Sequence, residues 1–173
     1  MADFNKAIFH TLEYEGHDVY TDIEGDKGSA TKFGISLNFV KESEDLALFD
    51  ANNDKRLTKE DIQLLTIDKV LEAYKKYFWD ISKLDLMSSD KKAFVFFDTT
   101  VNHGLRNATK LAQKTLIELG FKIEFDGKFG NATFSAIQSA DEEKFISVFL
   151  KKRSDFYNAI VKNNPTQKKF LKG

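Results

Sequence analysis

The sequence lacks the features that define several common classes of protein. It has no cysteine among its 173 residues, so disulfide bonds and thiolate metal sites are excluded. Its charges nearly cancel, with 26 Lys and Arg against 27 Asp and Glu, so we expect no strongly basic surface and no nucleic-acid partner. No apolar run approaches the roughly 20 residues that span a bilayer, so we expect no membrane insertion.

The first residues, Met1 to Lys6, contain no basic stretch followed by an apolar segment. That pattern marks a secretory signal peptide, and without it we expect synthesis in the cytoplasm. Proline is also scarce, since Pro165 is the single one in the chain. No proline therefore interrupts a helix before that position.

Apolar residues recur at helical spacing over most of the chain. The predicted helices lie near residues 4–12, 37–48, 67–78, 93–104, 107–119, 132–139 and 142–161. The stretch Phe94 to Phe97 is apolar on all sides, which predicts the central buried helix. Between Gly16 and Gly34, glycines and residues that favour extended backbone predict a loop with a small β-hairpin. The predicted fold class is mainly α.

Acidic residues gather where the first helix gives way to the glycine-rich loop. Glu15 directly follows the helical pattern, and Asp22 and Asp26 lie in the loop. Hydrolysis of a glycosidic bond needs one protonated carboxyl and a second carboxylate. A helix-end Glu beside Tyr14 could supply the first through partial burial, and the solvated aspartates could supply the second. Spacing alone, however, favours a solvated acidic surface over a catalytic site.

Two segments, Glu15 to Asp22 and Asp26 to Ser36, resemble glycoside hydrolase family 108. That family includes phage endolysins and secretion activator muramidases, and its pattern is E-G-G-Y, then N-D, then D-P-G-G-x-T-x-Y-G-I. The resemblance implies a lysozyme-like fold with the hairpin next to the catalytic Glu. It also implies that Glu15 is the general acid.

The chain departs from the family pattern without losing the acid. His17 and Asp18 stand where one Gly is usual, Lys27 replaces Pro, and Phe33 replaces Tyr. The layout is also similar to phage-type lysozymes. That similarity implies that Asp22 and Thr31 position water or stabilise the developing charge, while Asp26 competes with Asp22 for this role and is otherwise a substrate contact.

The resemblance extends to two aromatic-rich segments further along the chain. Residues 74–80 are similar to the family's Y-x-x-Y-W-D helix end, and residues 97–104 to its F-D-x-x-V-N-x-G helix. Tyr77, Trp79 and Asn102 are the predicted substrate contacts there. Core packing is the alternative for the aromatic rings, and an ordinary helix cap is the alternative for Asn102.

The segment Asp126 to Thr133 resembles the D-G-x-x-G-x-x-T signature of a peptidoglycan-binding module. Its chemistry favours a structural role, in which Gly127 and Gly130 supply turn conformations and Asp126 ties the amides of the turn. Thr133 would cap the next helix. We therefore divide the chain into a lysozyme-like catalytic region, residues 1–104, and a peptidoglycan-binding-like helical region, residues 105–173, packed on the same core.

Residues 50–61 resemble an EF-hand calcium loop. The predicted ligands of this loop are Asp50, Asn52, Asp54 and Asp61. Lys55 stands where Gly usually makes the sharp turn, and Asp replaces Glu at the twelfth position, so any calcium binding would be weak. The favoured alternative is a turn closed by side-chain caps, with Thr58 and Asp61 forming a capping box. We expect no required cofactor.

Together these resemblances imply a muramidase, a lysozyme-type glycoside hydrolase that cleaves the linkage between N-acetylmuramic acid and N-acetylglucosamine. Its partner would be the peptidoglycan glycan strand, and we expect a monomer. We expect a phage holin or a dedicated export route to release it to the wall. Two alternatives are a non-catalytic peptidoglycan-binding protein and a calcium-responsive interaction protein. The sequence leaves open whether the mechanism is retaining or inverting.

Overall fold

A computed structural model describes residues 1–14, 19–22 and 30–163. Within them the chain forms eight α-helices and one two-stranded antiparallel sheet. In chain order these are α1 (Phe4–Tyr14), β1 (Thr31–Lys32), β2 (Ile35–Ser36), α2 (Leu37–Ser43), α3 (Leu46–Phe49), α4 (Lys59–Leu64), α5 (Ile67–Tyr74), α6 (Asp90–Glu118), α7 (Asn131–Ser139) and α8 (Glu142–Asn163). A π-helical turn, Lys75–Trp79, continues α5, and two 3₁₀ turns, Asp80–Ser82 and Leu84–Leu86, precede α6.

Short polar side chains fix where most of these helices begin. Ser36 accepts a hydrogen bond from the Phe39 N–H at 3.2 Å, at the start of α2. Three other helices start in the same way, with the caps Asp45, Thr66 and Ser89. Such caps satisfy amides that have no partner inside the helix.

The predicted helix over residues 37–48 is two helices in the structure. Glu44 adopts a left-handed conformation with φ 53°, which ends α2. Asp45 then accepts from the Leu48 N–H at 3.2 Å and starts α3. The side-chain cap on the new helix overrides an apolar pattern that would otherwise continue.

The helices predicted over 93–104 and 107–119 are both present, as two segments of α6. Gly104 has non-helical angles inside it, φ 76° and ψ 155°, so the two predicted segments meet at a kink. The helix ends as predicted near Gly120, which has φ 90°. There the Phe121 N–H donates to the Leu116 carbonyl at 2.9 Å, the bond that closes a glycine-terminated helix.

Residues 8–77 form one compact unit. In its sheet Thr31 pairs with Ser36, and Lys32 pairs with Ile35. The hydroxyl of Tyr74 donates to the Phe33 carbonyl at 3.1 Å. Its core includes the buried residues Ile35, Val40, Phe49, Ile62, Val70 and Tyr74.

Among the described residues, 1–7 and 78–163 belong to the second compact unit. Helix α6 packs against α7 and α8, and Phe96 and Phe97 are fully buried, as expected of a central helix. Among the described helices, none is long and apolar enough to cross a membrane. The predicted division at residue 104 rests on sequence motifs and stays a prediction.

A buried lysine closes α7 in this second unit. The Lys92 ammonium donates to the carbonyls of Ile137, Gln138 and Ala140 at 2.7, 3.1 and 2.8 Å. These carbonyls lie at the end of α7, where unpaired oxygens carry the negative end of the helix dipole. Burial lowers the pKa of Lys92.

Candidate active site

The predicted general acid follows the first helix. Helix α1 spans Phe4–Tyr14, and Glu15 is the next residue in the sequence. Glu15 and Asp26 lie outside the described residues, so their roles stay predictions. Asp22 and Thr31 lie within the described residues.

Backbone pairing joins the chain segments of Asp22 and Thr31, the two residues predicted to help the general acid. They are called the helper residues below. Thr21 donates to the Thr31 carbonyl at 2.9 Å, and Thr31 donates to the Thr21 carbonyl at 2.8 Å. Thr31 also pairs with Ser36 across the sheet, so it lies between two paired segments. Asp22 directly follows the first of these segments. Asp22 is therefore the residue next to the backbone partner of Thr31.

The Asp22 carboxylate is bound by a lysine that the sequence analysis missed. The Lys59 ammonium donates to both Asp22 oxygens, at 3.0 and 2.8 Å. The side chains of Lys59 and Asp22 are 54% and 32% exposed. A pair so accessible to water contributes about 0–1 kcal/mol to stability, so its main effect is on where the carboxylate points.

A second lysine links the same helix to the hairpin. Lys32, in β1, donates to the carbonyls of Gln63 and Leu65 at 2.9 and 3.0 Å. These carbonyls belong to the C-terminal end of α4, whereas Lys59 is its first residue. Both ends of α4 therefore contact the hairpin that carries Asp22 and Thr31.

The capping box predicted before α4 is present. Asp61 accepts from the Thr58 N–H at 2.8 Å, and its other oxygen accepts from the Ala51 N–H at 2.9 Å. Asp61 is fully buried. Its carboxylate therefore closes the loop over residues 50–58 and fixes the start of α4.

The other proposed calcium ligands also bind backbone amides. The oxygens of Asp50 accept from the Asp54 and Lys55 amides at 3.0 and 2.9 Å. Asn52 accepts from Asp54, and Asp54 from Arg56, at 3.0 and 2.8 Å. Among the described residues no three His or acidic side chains come together as metal ligands. Calcium binding by this loop stays a prediction.

Tyr77 lies in an aromatic cluster with its hydroxyl engaged. It donates to Asp45 at 2.8 Å, and Lys76 donates to the same oxygen at 2.6 Å. The Lys76 bond holds the pKa of Asp45 below its ordinary value, and burial raises the pKa of Tyr77. The ring stacks on Phe49 and meets Phe39 edge-on. Its role as a substrate contact stays a prediction, and it would act through the exposed part of the ring.

Trp79 is a core residue, which corrects its predicted role in stacking on a sugar. It is fully buried, and its indole N–H donates to Asp85 at 2.6 Å. Phe4 and Phe97 each meet the indole at 5.5 Å between ring centroids. A ring enclosed in this way has no face open to a polymeric substrate, so the core alternative applies.

Asn102 is exposed on α6, just before the kink. Its amide donates to the Asp98 carbonyl at 2.8 Å, one turn earlier, and its predicted substrate contact stays a prediction. The neighbouring His103 packs edge-on against Phe156 and Tyr157. Burial lowers the pKa of His103 to about 4, so its ring is uncharged at neutral pH.

The turn at Asp126 is organised by Gln113, a fully enclosed side chain of α6. Gln113 donates to Asp126 at 2.8 Å and accepts from the Gly127 N–H at 2.9 Å. Asp126 accepts from the Lys128 amide, as predicted. Thr133 is buried inside α7 and accepts from Gln113 at 3.3 Å, so the prediction that it caps the helix is wrong.

Gly127 and Gly130 of the same turn differ. Gly127 has φ 71°, a conformation that favours glycine. Gly130 has φ −123°, which any residue adopts, so the prediction that it supplies a special turn conformation is wrong. It stands at the start of α7 without a side-chain cap.

These features define a class of protein: a mainly α-helical, lysozyme-like chain with a hairpin after α1 and a second, Asp-Gly turn in its C-terminal half. The chain belongs to glycosyl hydrolase family 108, whose model, described as Glycosyl hydrolase 108, matches residues 8–104. Residues 107–173 match a model described as Predicted Peptidoglycan domain. The two matches together make the chain a peptidoglycan-related glycosidase.

Comparison with solved structures supports the fold over nearly the whole chain. The structure of SagA from Brucella abortus is similar with a TM-score of 0.72 and 25% sequence identity. The match covers 98% of this chain and 86% of that one. No curated protein matches the chain. The similarity confirms the predicted mainly α, lysozyme-like fold.

Proposed function

We propose that the protein is an N-acetylmuramidase that hydrolyses the N-acetylmuramic acid–N-acetylglucosamine bond of peptidoglycan, with Glu15 as general acid. The family match over residues 8–104 includes Glu15, Asp22 and Thr31. The observation that carries the proposal is the pairing of Thr21 with Thr31. This pairing supports the proposal because Asp22 directly follows Thr21 in the chain, soon after the proposed acid.

In the proposed reaction the Glu15 carboxyl donates its proton to the glycosidic oxygen as the bond to the sugar carbon breaks. The sugar then carries developing positive charge, which the Asp22 carboxylate stabilises. Water supplies the oxygen that completes the product, and its proton passes to a carboxylate. The Thr31 hydroxyl would position that water or steady the charge.

Two stereochemical routes use this set of groups. In an inverting enzyme the second carboxylate activates water, and in a retaining enzyme it attacks the sugar itself. The carboxyl separations differ, at roughly 6.5–9.5 Å and about 5–5.5 Å. The anomeric configuration of the first product, measured by NMR, distinguishes the two.

Glu15→Gln tests the proposal directly, because glutamine keeps the size of the side chain and removes its acidic proton. We expect release of muropeptides from purified sacculi to fall by about 10²–10⁴-fold, with thermal stability unchanged. Glu42→Gln is the matched control, since Glu42 is exposed on α2. A folded Glu15→Gln protein within a few-fold of wild-type activity would remove Glu15 from the mechanism.

A second candidate, a peptidoglycan-binding protein without catalysis, is favoured by the match over residues 107–173. Co-sedimentation with sacculi separates binding from cleavage. Under the enzyme proposal Glu15→Gln still sediments with sacculi but releases nothing. If the wild-type protein binds sacculi and releases no reducing ends, the second candidate replaces the first.

A further inference from the structure

We infer that Lys59 is a positioning residue for Asp22, which holds this carboxylate in the orientation that the reaction uses. The inference rests on the proposed function, because it concerns the second carboxylate of the proposed mechanism. Lys59 lies outside the segments that resemble the family pattern.

The contact itself is specific in direction. One ammonium group binds both oxygens of Asp22, at 2.8 and 3.0 Å. Each carboxylate oxygen can accept two hydrogen bonds, so two bonds from Lys59 leave acceptor sites free for water. The lysine thus fixes the plane of the carboxylate without occupying it fully.

The base of the lysine is held more firmly than a surface lysine usually is. Lys59 is the first residue of α4, and the residue before it, Thr58, is bound by the buried Asp61 at 2.8 Å. Ile62, one turn along the helix, is also fully buried. The backbone from which Lys59 projects is therefore fixed by a capping box and by the core.

The other end of α4 makes the link to Thr31. Lys32 donates to the Gln63 and Leu65 carbonyls at 2.9 and 3.0 Å, and it is the neighbour of Thr31 in β1. One short helix therefore contacts both segments of the hairpin, at Asp22 through Lys59 and next to Thr31 through Lys32. This arrangement keeps the two proposed helper residues in register.

Small errors of position are costly in such a site. A displacement of about 1 Å in a reacting group can lower the rate by about 10²-fold. Because the Asp22 pair is exposed, however, its loss should hardly change stability. Removal of the ammonium should therefore affect kcat and leave KM and the melting temperature largely unchanged.

Lys59→Met removes the charge and keeps most of the stem. We expect kcat on peptidoglycan fragments to fall by about 10-fold or more, with KM within about two-fold. Lys59→Arg keeps a donor and should recover most of the loss. Lys69→Met is the matched control, because Lys69 is also an exposed lysine with an acidic partner, Glu72 at 3.5 Å. We expect its kcat to equal that of the wild type.

A double-mutant cycle with Asp22→Asn separates failure of this inference from failure of the proposed function. If Lys59 acts through Asp22, Lys59→Met adds no further loss in the Asp22→Asn background. Two results would overturn the inference and leave the proposed function in place. In the first, the double variant loses the product of the two single-variant losses in kcat. In the second, Lys59→Met keeps the wild-type kcat while Asp22→Asn is impaired. Full activity in Asp22→Asn would instead remove Asp22 from the mechanism. Lys59→Gln serves the same comparison if the methionine variant does not fold.

Discussion

Lys59, in residues 8–77, and Lys92, in residues 78–163, both bind oxygen atoms through their ammonium groups, but in different surroundings. Lys59 is half exposed and binds a carboxylate that is itself open to water. Lys92 is almost completely buried and binds three backbone carbonyls. Loss of the Lys59 contact should change stability little. Loss of the Lys92 contact leaves buried carbonyl acceptors without that donor.

The comparison separates two uses of polar groups in this chain. In the unit of residues 8–77, the contact of Lys59 with Asp22 orients a side chain that stays accessible to a substrate. In the unit that contains α6, α7 and α8, Lys92 binds backbone carbonyls at the end of α7. Gln113 accepts from a backbone N–H in the turn before α7. Variants of the first kind should change activity, and variants of the second kind should change stability.

The largest effect on stability is expected for Lys92→Met. The change leaves three carbonyls at the end of α7 without their shared donor, which should lower the free energy of unfolding by about 2–3 kcal/mol. Urea denaturation followed by circular dichroism measures it. The control is Lys91→Met, because Lys91 is exposed and pairs with Glu142 at 3.4 Å, a contact worth about 0–1 kcal/mol.

The specific activity of folded Lys92→Met should equal that of the wild type. Equal stabilities of the Lys92→Met and Lys91→Met proteins would show that the buried contact is not a structural one. A large fall in kcat without a fall in stability would remove the distinction between the two lysines.

A smaller effect is expected between the end of α6 and the start of α7, where three glycines can be compared. Gly127→Ala should cost about 1–2 kcal/mol, because its φ is 71° and a Cβ would lie 3.1 Å from Lys110. Gly120→Ala shares the positive φ but meets nothing within 4 Å, so it should cost about 1 kcal/mol. Gly130→Ala meets nothing and has an ordinary φ. Its stability should be unchanged within about 0.5 kcal/mol.

Thermal unfolding of the three variants measures this order. If Gly130→Ala proved as costly as Gly127→Ala, backbone conformation would not explain the glycines of this motif. A fall in sacculus binding at unchanged stability, in any of the three, would instead indicate that the turn contacts peptidoglycan.

The sequence predicted those parts of the fold that depend on local interactions. The Thr58–Asp61 capping box acts within three residues, and it was predicted from spacing and is present. The same reasoning missed the break at Glu44, because the apolar pattern of residues 37–48 continues across it. The two helical segments predicted within α6 are present, and they meet at the kink at Gly104.

The candidate site could be predicted only as far as its motifs reach. Asp22 and Thr31 came from the similarity to phage-type lysozymes, and backbone pairing joins Thr31 to Thr21, the residue before Asp22. The Asp22–Lys59 contact joins residues 37 positions apart, and no local signal connects them. Trp79 was misassigned because an aromatic residue at a helix end suits either a cleft or a core, and only packing against Phe4 and Phe97 decides between them.

The smallest effect on stability is expected for added calcium. It tests whether the acidic side chains of residues 50–61 stabilise the loop themselves or bind an ion. Each of the four predicted ligands already accepts a hydrogen bond from a backbone amide. Lys55 holds the left-handed turn with φ 64°, and it brings a positive charge where calcium loops have glycine.

Calcium would therefore have to displace the hydrogen bonds between these side chains and the backbone amides. We expect a Kd of about 1 mM or weaker. At 1 mM free calcium this corresponds to about 0.4 kcal/mol of stabilisation, a shift in melting temperature of a few degrees at most. Titration calorimetry and melting curves with calcium or chelator measure both quantities, and Asp54→Asn is the matched variant. The hydrogen bonds of Asp61 fix the start of α4, which carries Lys59, and these bonds need no calcium. Chelator should therefore leave kcat unchanged. A submicromolar Kd, or loss of activity in chelator that calcium restores, would show that the loop is an ion site that acts on the hairpin through α4.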